Sequence, residues 1–221
     1  MLDLRLNLPG KRAPCFLFIG AHCDDIEIGC GGTIMELLRR YPKARIHWVV
    51  LSSNSKRASE ARMGARLILG AATRPTVTIK DFRESYFPSE VPSLKGFFEE
   101  LKPIAPDVVF SHYGQDLHQD HRVVSELTWN TFRNHMILEY EIPKYDGGLG
   151  SPSFFVPVPP AVMRKKVAVL MKAFPTQTTK HWFSPDTFQG LMRLRGIESN
   201  APGGYAEAFY VRKLVLGGPG A

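Results

Sequence analysis

A chain of 221 residues with 44% hydrophobic content holds enough apolar material for one sizeable core, and no run in it reaches membrane-spanning length. Lys and Arg outnumber Asp and Glu by 28 to 21, which suits an anionic small molecule. The basic residues are nevertheless scattered (Arg39, Arg40, Lys43, Arg45; then Arg164, Lys165, Lys166) with no interleaved aromatics; they read mostly as solvated helix faces, and no nucleic-acid partner is expected.

The N-terminal MLDLRLNLPGKRAP has neither the apolar stretch nor the cleavage site of a signal peptide. Cys15, Cys23 and Cys30 are odd in number and lack CxxC spacing, which speaks against a zinc ribbon and for a reducing compartment. The expectation is a cytoplasmic protein. β-rich runs at Cys15–Ala21, Ile46–Leu51, Thr76–Ile79 and Val108–Ser111 alternate with helix-period segments. One helix carries Ala58, Ala61, Ala65 and Ile68 and stops at Gly70; the next carries Leu94, Phe97, Phe98 and Leu101. From about Glu139 the pattern is less regular, with a Gly- and Pro-rich stretch from Asp146 to Pro160 that includes a strand at Phe154–Val158. Met163, Val167, Leu170, Met171 and Phe174 then keep a helical period, Tyr205–Leu216 closes as a strand, and 217–221 should form a mobile tail. The pattern predicts one α/β domain over 1–221, three-layered, with a mostly parallel sheet and a less regular C-terminal part.

Two polar clusters stand at strand ends. The first strand runs into Gly20-Ala21-His22-Cys23-Asp24-Asp25, and the fourth into Ser111-His112, followed by His118-Gln119-Asp120-His121. In the common 3-2-1-4 strand order the first and fourth strands are neighbours at the crevice, so both clusters would meet in one cleft. A catalytic zinc site needs three ligands from the His and carboxylate set and one position for water. His22, Asp25 and His121 supply that set. Asp24 is placed to take a proton from water, and Asp120, near His118, to hold that imidazole in one orientation.

These residues carry a family resemblance. His22-Cys23-Asp24-Asp25 with Gly29 resembles the AHPDDxxxG motif, and His118 to His121 the HxDH motif, of the LmbE-like or PIG-L-type N-acetylglucosaminyl deacetylases. Arg57-x-x-Glu60 looks like the family's R-x-x-E segment, and Tyr205-Ala206-Glu207-Ala208-Phe209 is similar to its YAEAF stretch. The resemblance implies a Rossmann-like fold and zinc on His22, Asp25 and His121. It implies further that Asp24 is the general base, that His118 stabilises the oxyanion or protonates the leaving amine, that Asp120 orients His118, and that Arg57 contacts sugar hydroxyls. The substrate so implied is a small amino-sugar conjugate, with its sugar and aglycone unspecified; a homo-oligomer is compatible with it. Cys23 stands where the family usually has proline, so this loop lacks one backbone restraint.

Other readings compete. A hydratase of unsaturated carboxylic acids shares the superfamily, two histidines and a carboxylate also suit Fe2+, and the basic charge admits a nucleic-acid-binding module, which would leave the whole metal constellation unexplained. His112 is as well explained by a loop hydrogen bond as by the site and is left out of it; His47, His135 and His181 read as packed or surface residues. Gly29-Cys30-Gly31-Gly32 lacks both GxGxxG spacing and a Walker Lys-Ser/Thr pair, so its glycines read as room for close packing.

Overall fold

The computed structural model describes residues 12–70 and 75–215. Seven strands form one sheet in the order β3-β2-β1-β4-β5-β7-β6. They are β1 (Cys15–Gly20), β2 (Arg45–Val50), β3 (Thr76–Ile79), β4 (Val108–His112), β5 (Met136–Tyr140), β6 (Phe154–Pro157) and β7 (Ala206–Tyr210). The first five are parallel; β7 lies antiparallel between β5 and β6. The helices are α1 (Asp25–Arg40), α2 (Ser55–Leu69), α3 (Val91–Leu101), α4 (Gln119–Thr131), α5 (Pro160–Ala173) and α6 (Pro185–Glu198).

The run CFLFIG of β1 is fully buried along its length, as befits a strand covered on both faces. Phe16 and Phe18 enter the core that α1, α2, α5 and α6 close. Leu17 and Ile19 enter the second core, under α3 and α4. Apart from the closing one, the predicted strands are present within a residue or two. The closing strand is shorter than expected. It ends at Tyr210, one residue past the pairing of Phe209 with Phe154 at which β6 begins, and Arg212 turns back onto Glu139 and the Trp129 ring. Arg45 is on β2 instead of a helix. The expected tail at 217–221 lies outside the described residues, and among the described residues no helix is long and apolar enough to cross a membrane.

What positions the site is the reversal between β1 and β4. Phe16, Leu17 and Phe18 pair in parallel with Val108, Val109 and Phe110, while the chain from β1 continues to β2 on the other side. The crevice at such a point opens beyond the carboxyl ends of the strands. The loop after β1 enters α1 there, and the loop after β4 enters α4.

Candidate metal centre and active-site cleft

The two loops meet. His22 Nδ1 lies 3.1 Å from His121 Nε2 and 3.4 Å from Asp25 Oδ2, and Asp25 Oδ1 lies 3.6 Å from His121 Nε2. Ligands about 2.0–2.1 Å from a tetrahedral zinc stand roughly 3.3 Å apart, a spacing these pairs approach, Asp25 facing His22 with one carboxylate oxygen and His121 with the other. His118 is close by: its donor atoms and those of His22 and His121 fall within 4.8 Å of one another, as do those of Asp25, His112 and His121.

His22 and His121 are both backed by carboxylates through their second nitrogen. His22 Nε2 lies 3.2 Å from Asp120 Oδ2, and His121 Nδ1 lies 3.0 Å from Asp116 Oδ2, which also accepts from Lys144 Nζ at 2.7 Å. Such carboxylates fix the ring orientation and the tautomer of a ligand imidazole. Burial works against the charged form of Asp116, yet His121 and Lys144 hold its carboxyl well below the usual range.

The expectation that Asp120 holds the His118 ring is not met. Its carboxylate accepts from the backbone N–H of Ser85 at 2.6 Å and of Phe87 at 3.2 Å and faces His22. What Asp120 gives His118 is its backbone N–H, which donates to Nδ1 at 3.2 Å and so caps α4 with the imidazole. Geometry explains the difference: a helix cap turns the His118 ring toward the N–H groups of the first turn, while the Asp120 side chain leaves that turn toward the 85–87 backbone. Ser85 sits there at φ 68°, a left-handed torsion costly for serine that its bond to Asp120 helps to hold. Nδ1 being an acceptor, Nε2–H is the ring's remaining donor. Burial and the nearby His22 push the His118 pKa below 6.5, which favours a neutral ring.

Asp24 and Asp25 diverge, although adjacent and both buried. Burial disfavours a charge on Asp25, but His121, His112 and His22 outweigh it and hold the carboxyl well below its ordinary value. Asp24 is lifted by burial and by the Asp25 charge. It serves as N-cap of α1 without a side-chain cap bond, because Oδ1 accepts from Arg57 Nη2 at 2.6 Å. Arg57, expected to meet sugar hydroxyls, thus faces Asp24, and its Nη1 reaches Glu60 and Thr176, each at 3.2 Å. Glu60 in turn accepts from the Thr176 backbone and hydroxyl, so the R-x-x-E segment braces Asp24 against the chain after α5.

Cys23 is buried, donates to Ser52 C=O at 3.3 Å, and burial pushes its thiol up to about 12; it stands as a thiol outside the ligand set.

Three neighbours of these residues are missing from the site read in the sequence, which set His112 aside and did not single out Asp116 or Lys144. His112 is fully buried, accepts the Ala21 N–H at 2.9 Å, lies 3.1 Å from Asp25 Oδ2 and stacks on His121 at 3.9 Å between centroids. Its place at the end of β4, opposite the end of β1, was the signal available. Asp116, two residues before His118, could have been suspected from that spacing; nothing in the sequence marks Lys144. The cleft is lined further by Glu84, Lys144, Tyr145, Asp146, Lys180 and Trp182.

A sequence model of the family described as PIG-L, GlcNAc-PI de-N-acetylase, matches residues 17–132, more than half of the chain. Among solved structures, the conserved protein TT1542 from Thermus thermophilus is 22% identical, with TM-score 0.72 over 93% of this chain and 98% of that one. N,N'-diacetylchitobiose deacetylase from Pyrococcus horikoshii is 20% identical, with TM-score 0.70 over 94% and 87%. GalB, the 4-carboxy-2-hydroxymuconate hydratase from Pseudomonas putida KT2440, is 17% identical, with TM-score 0.74 over 94% and 100%. At these identities the likeness is one of fold.

Proposed function

The chain belongs to the PIG-L family, described as GlcNAc-PI de-N-acetylase, and on that premise we propose that it is a zinc-dependent hydrolase removing an N-acyl group, in the first place N-acetyl, from an amino-sugar conjugate. The observation that carries the reading is the convergence of His22, Asp25 and His121 beside a buried carboxylate, Asp24, that is held by Arg57. Fold likeness to a diacetylchitobiose deacetylase supports the amino sugar as substrate.

A zinc ion on His22, Asp25 and His121 would acidify a water molecule and polarise the amide carbonyl, and Fe2+ suits the same donors. Asp24 accepts the proton of the attacking water. Its raised pKa suits it to that task, and the Arg57 bond to Oδ1 leaves Oδ2 for the water. His118, neutral and donating through Nε2–H, stabilises the oxyanion that develops on the carbonyl oxygen. Asp24 then returns the proton to the departing nitrogen, so that amide and water become carboxylic acid and amine, which at neutral pH pass to carboxylate and ammonium. The free, buried thiols support a reducing, cytoplasmic setting.

The test is acetate release from a panel of N-acetylated amino-sugar conjugates, with and without a chelator. Asp24→Asn should lower turnover at least about a hundredfold while elemental analysis finds zinc unchanged; near-normal turnover would remove Asp24 from its role. Hydration of an unsaturated dicarboxylic acid without any acetate release would move the chain to the chemistry of the hydratase whose fold it shares.

A further inference from the structure

α1 is interrupted. Cys30 leaves helical torsions at φ −147°, ψ 19°. In an unbroken helix the Gly32 N–H would donate to Ile28 C=O. Instead Gly32 N–H and Thr33 N–H donate to the two carboxylate oxygens of Glu207 on β7, at 2.8 and 2.6 Å. Ile28 C=O accepts from Lys166 Nζ on α5 at 2.6 Å, and the same ammonium lies 2.6 Å from Glu207 Oε1. An ion pair thus occupies the place of the missing rung. Each charge meets the end that suits it, the carboxylate at N–H groups and the ammonium at a carbonyl.

Lys166 and Glu207 are 2% and 3% exposed. Burying such a pair is a weak route to stability compared with apolar packing, so its presence asks for another role. The segment it serves is the first turn of α1, which begins with Asp25 directly after Asp24 and is too short to be fixed by its own helical bonds. The run Gly29-Cys30-Gly31-Gly32 makes room for it: a Cβ at Gly32 would come within 3.0 Å of Glu207 Oε1, and one at Gly31 would meet the Lys166 stem at 3.6 Å. This joins two motifs that the reaction leaves unused, the glycine run and the YAEAF stretch.

We propose that the Lys166–Glu207 pair is a positioning device for the site, setting the direction of the first turn of α1, and with it Asp24 and Asp25, from the C-terminal part of the chain. Two amides report on that turn without touching the pair: His22 N–H, which donates to Asp25 Oδ2 at 2.6 Å, and Ile28 N–H, which donates to Asp24 C=O at 3.0 Å.

The experiment is residue-resolved hydrogen exchange and Co2+ affinity, by chelator competition, on the full chain carrying Lys166→Met, Glu207→Gln or Lys166→Arg. For the first two, exchange at His22 and Ile28 should speed up at least about tenfold while β1 and β4 amides keep their protection. The Co2+ dissociation constant should rise by about tenfold or more, the scale on which loss of supporting contacts acts at metal sites, and Lys166→Arg should restore much of both. Unchanged exchange at His22 and Ile28, or protection lost equally throughout, would overturn the proposal, as would failure of both Lys166→Met and Glu207→Gln to fold. The Co2+ arm rests on the metal reading; should the parent chain take up no Co2+, that reading fails alone and the exchange arm still decides this one.

Discussion

Replacing Gly29 by Ala measures how tightly the first turn of α1 is seated. A methyl there would stand 2.3 Å from Tyr140 Cδ2 and 2.5 Å from Cγ, more than 1 Å inside the ~3.5–4.0 Å at which carbon atoms attract. Tyr140 has little freedom to yield. It is fully buried, its hydroxyl donates to Ile19 C=O at 2.6 Å, and its ring meets His112 edge-on at 4.8 Å. Helix propensity favours the substitution by about 1 kcal/mol, overpacking opposes it by about 1–3 kcal/mol, and bending the Tyr140–Ile19 hydrogen bond forfeits about 1 kcal/mol more. The net loss is roughly 1–3 kcal/mol, a fall in Tm of roughly 2–12 °C for a domain of this size. Gly96, exposed on α3 with nothing within 4 Å of a new Cβ, is the control. Gly96→Ala should raise Tm by roughly 2–4 °C from propensity alone. Thermal unfolding of both variants without metal decides the matter: a Gly29→Ala chain as stable as the Gly96→Ala chain would refute the close seating of that turn on Tyr140.

Asp116→Asn removes the carboxylate behind His121 and should raise the zinc dissociation constant by about 10–100-fold; an unchanged value in chelator competition would show that Asp116 does not act through His121. In the metal-free protein His22 and His121 pull stability in opposite directions with pH. Burial opposes a charge on His22, but Asp25 and Asp120 raise it from 6.5 to about 10, so its contribution is whole below pH 6.5 and is lost as the pH climbs toward 10. Burial and His112 lower His121 to about 3, so stability falls as the pH drops from 6.5 toward 3. Tm of the metal-free chain should therefore peak near pH 6.5, and a flat profile from pH 6.5 to 9 would count against the His22 assignment. Cys15, Cys23 and Cys30 are all buried with raised pKa, so an aromatic disulfide reagent should titrate almost no thiol in the native chain and three after denaturation; rapid native labelling would contradict that burial.

The convergence of His22, Asp25 and His121 was legible because its signal is local. Three donor residues stand at the ends of two strands whose neighbourhood follows from a common strand order, and β1 and β4 do pair. What surrounds the ligands was less legible, since those contacts are set by the fold. Lys144 reaches Asp116 from the chain after β5, and Asp120 turns to His22, 98 residues earlier, instead of to its neighbour His118. Glu207 and the glycine run were each visible as motifs, yet nothing in either says that one caps the other across 175 residues. α6 escaped notice for a related reason. Pro185, Gly190 and Gly196 dilute its pattern, and Phe188 and Met192 alone give too short a period to read as a helix; packing against α5 and β7 supplies what propensity does not.

The charges of the site can be balanced from the same contacts. Asp24, Asp25, Asp116 and Asp120 are all buried around one point. Arg57 meets Asp24 and Lys144 meets Asp116, which leaves Asp25, on His22 and His112, and Asp120, on His22 and two backbone N–H groups. Two buried carboxylates without a fixed cation are costly in a low-dielectric interior. In the metal-free chain the proton that His22 retains up to about pH 10 offsets one of them. A divalent ion on His22, Asp25 and His121 would offset both and displace that proton from Nδ1, leaving Nε2–H to Asp120. Metal uptake should therefore release about one proton per ion at pH 7–8, and Asp120→Asn, by lowering the His22 pKa, should reduce that release as well as the affinity. Uptake by the parent chain without proton release, followed by calorimetry in buffers of different ionisation enthalpy, would mean that His22 is not the group the ion displaces.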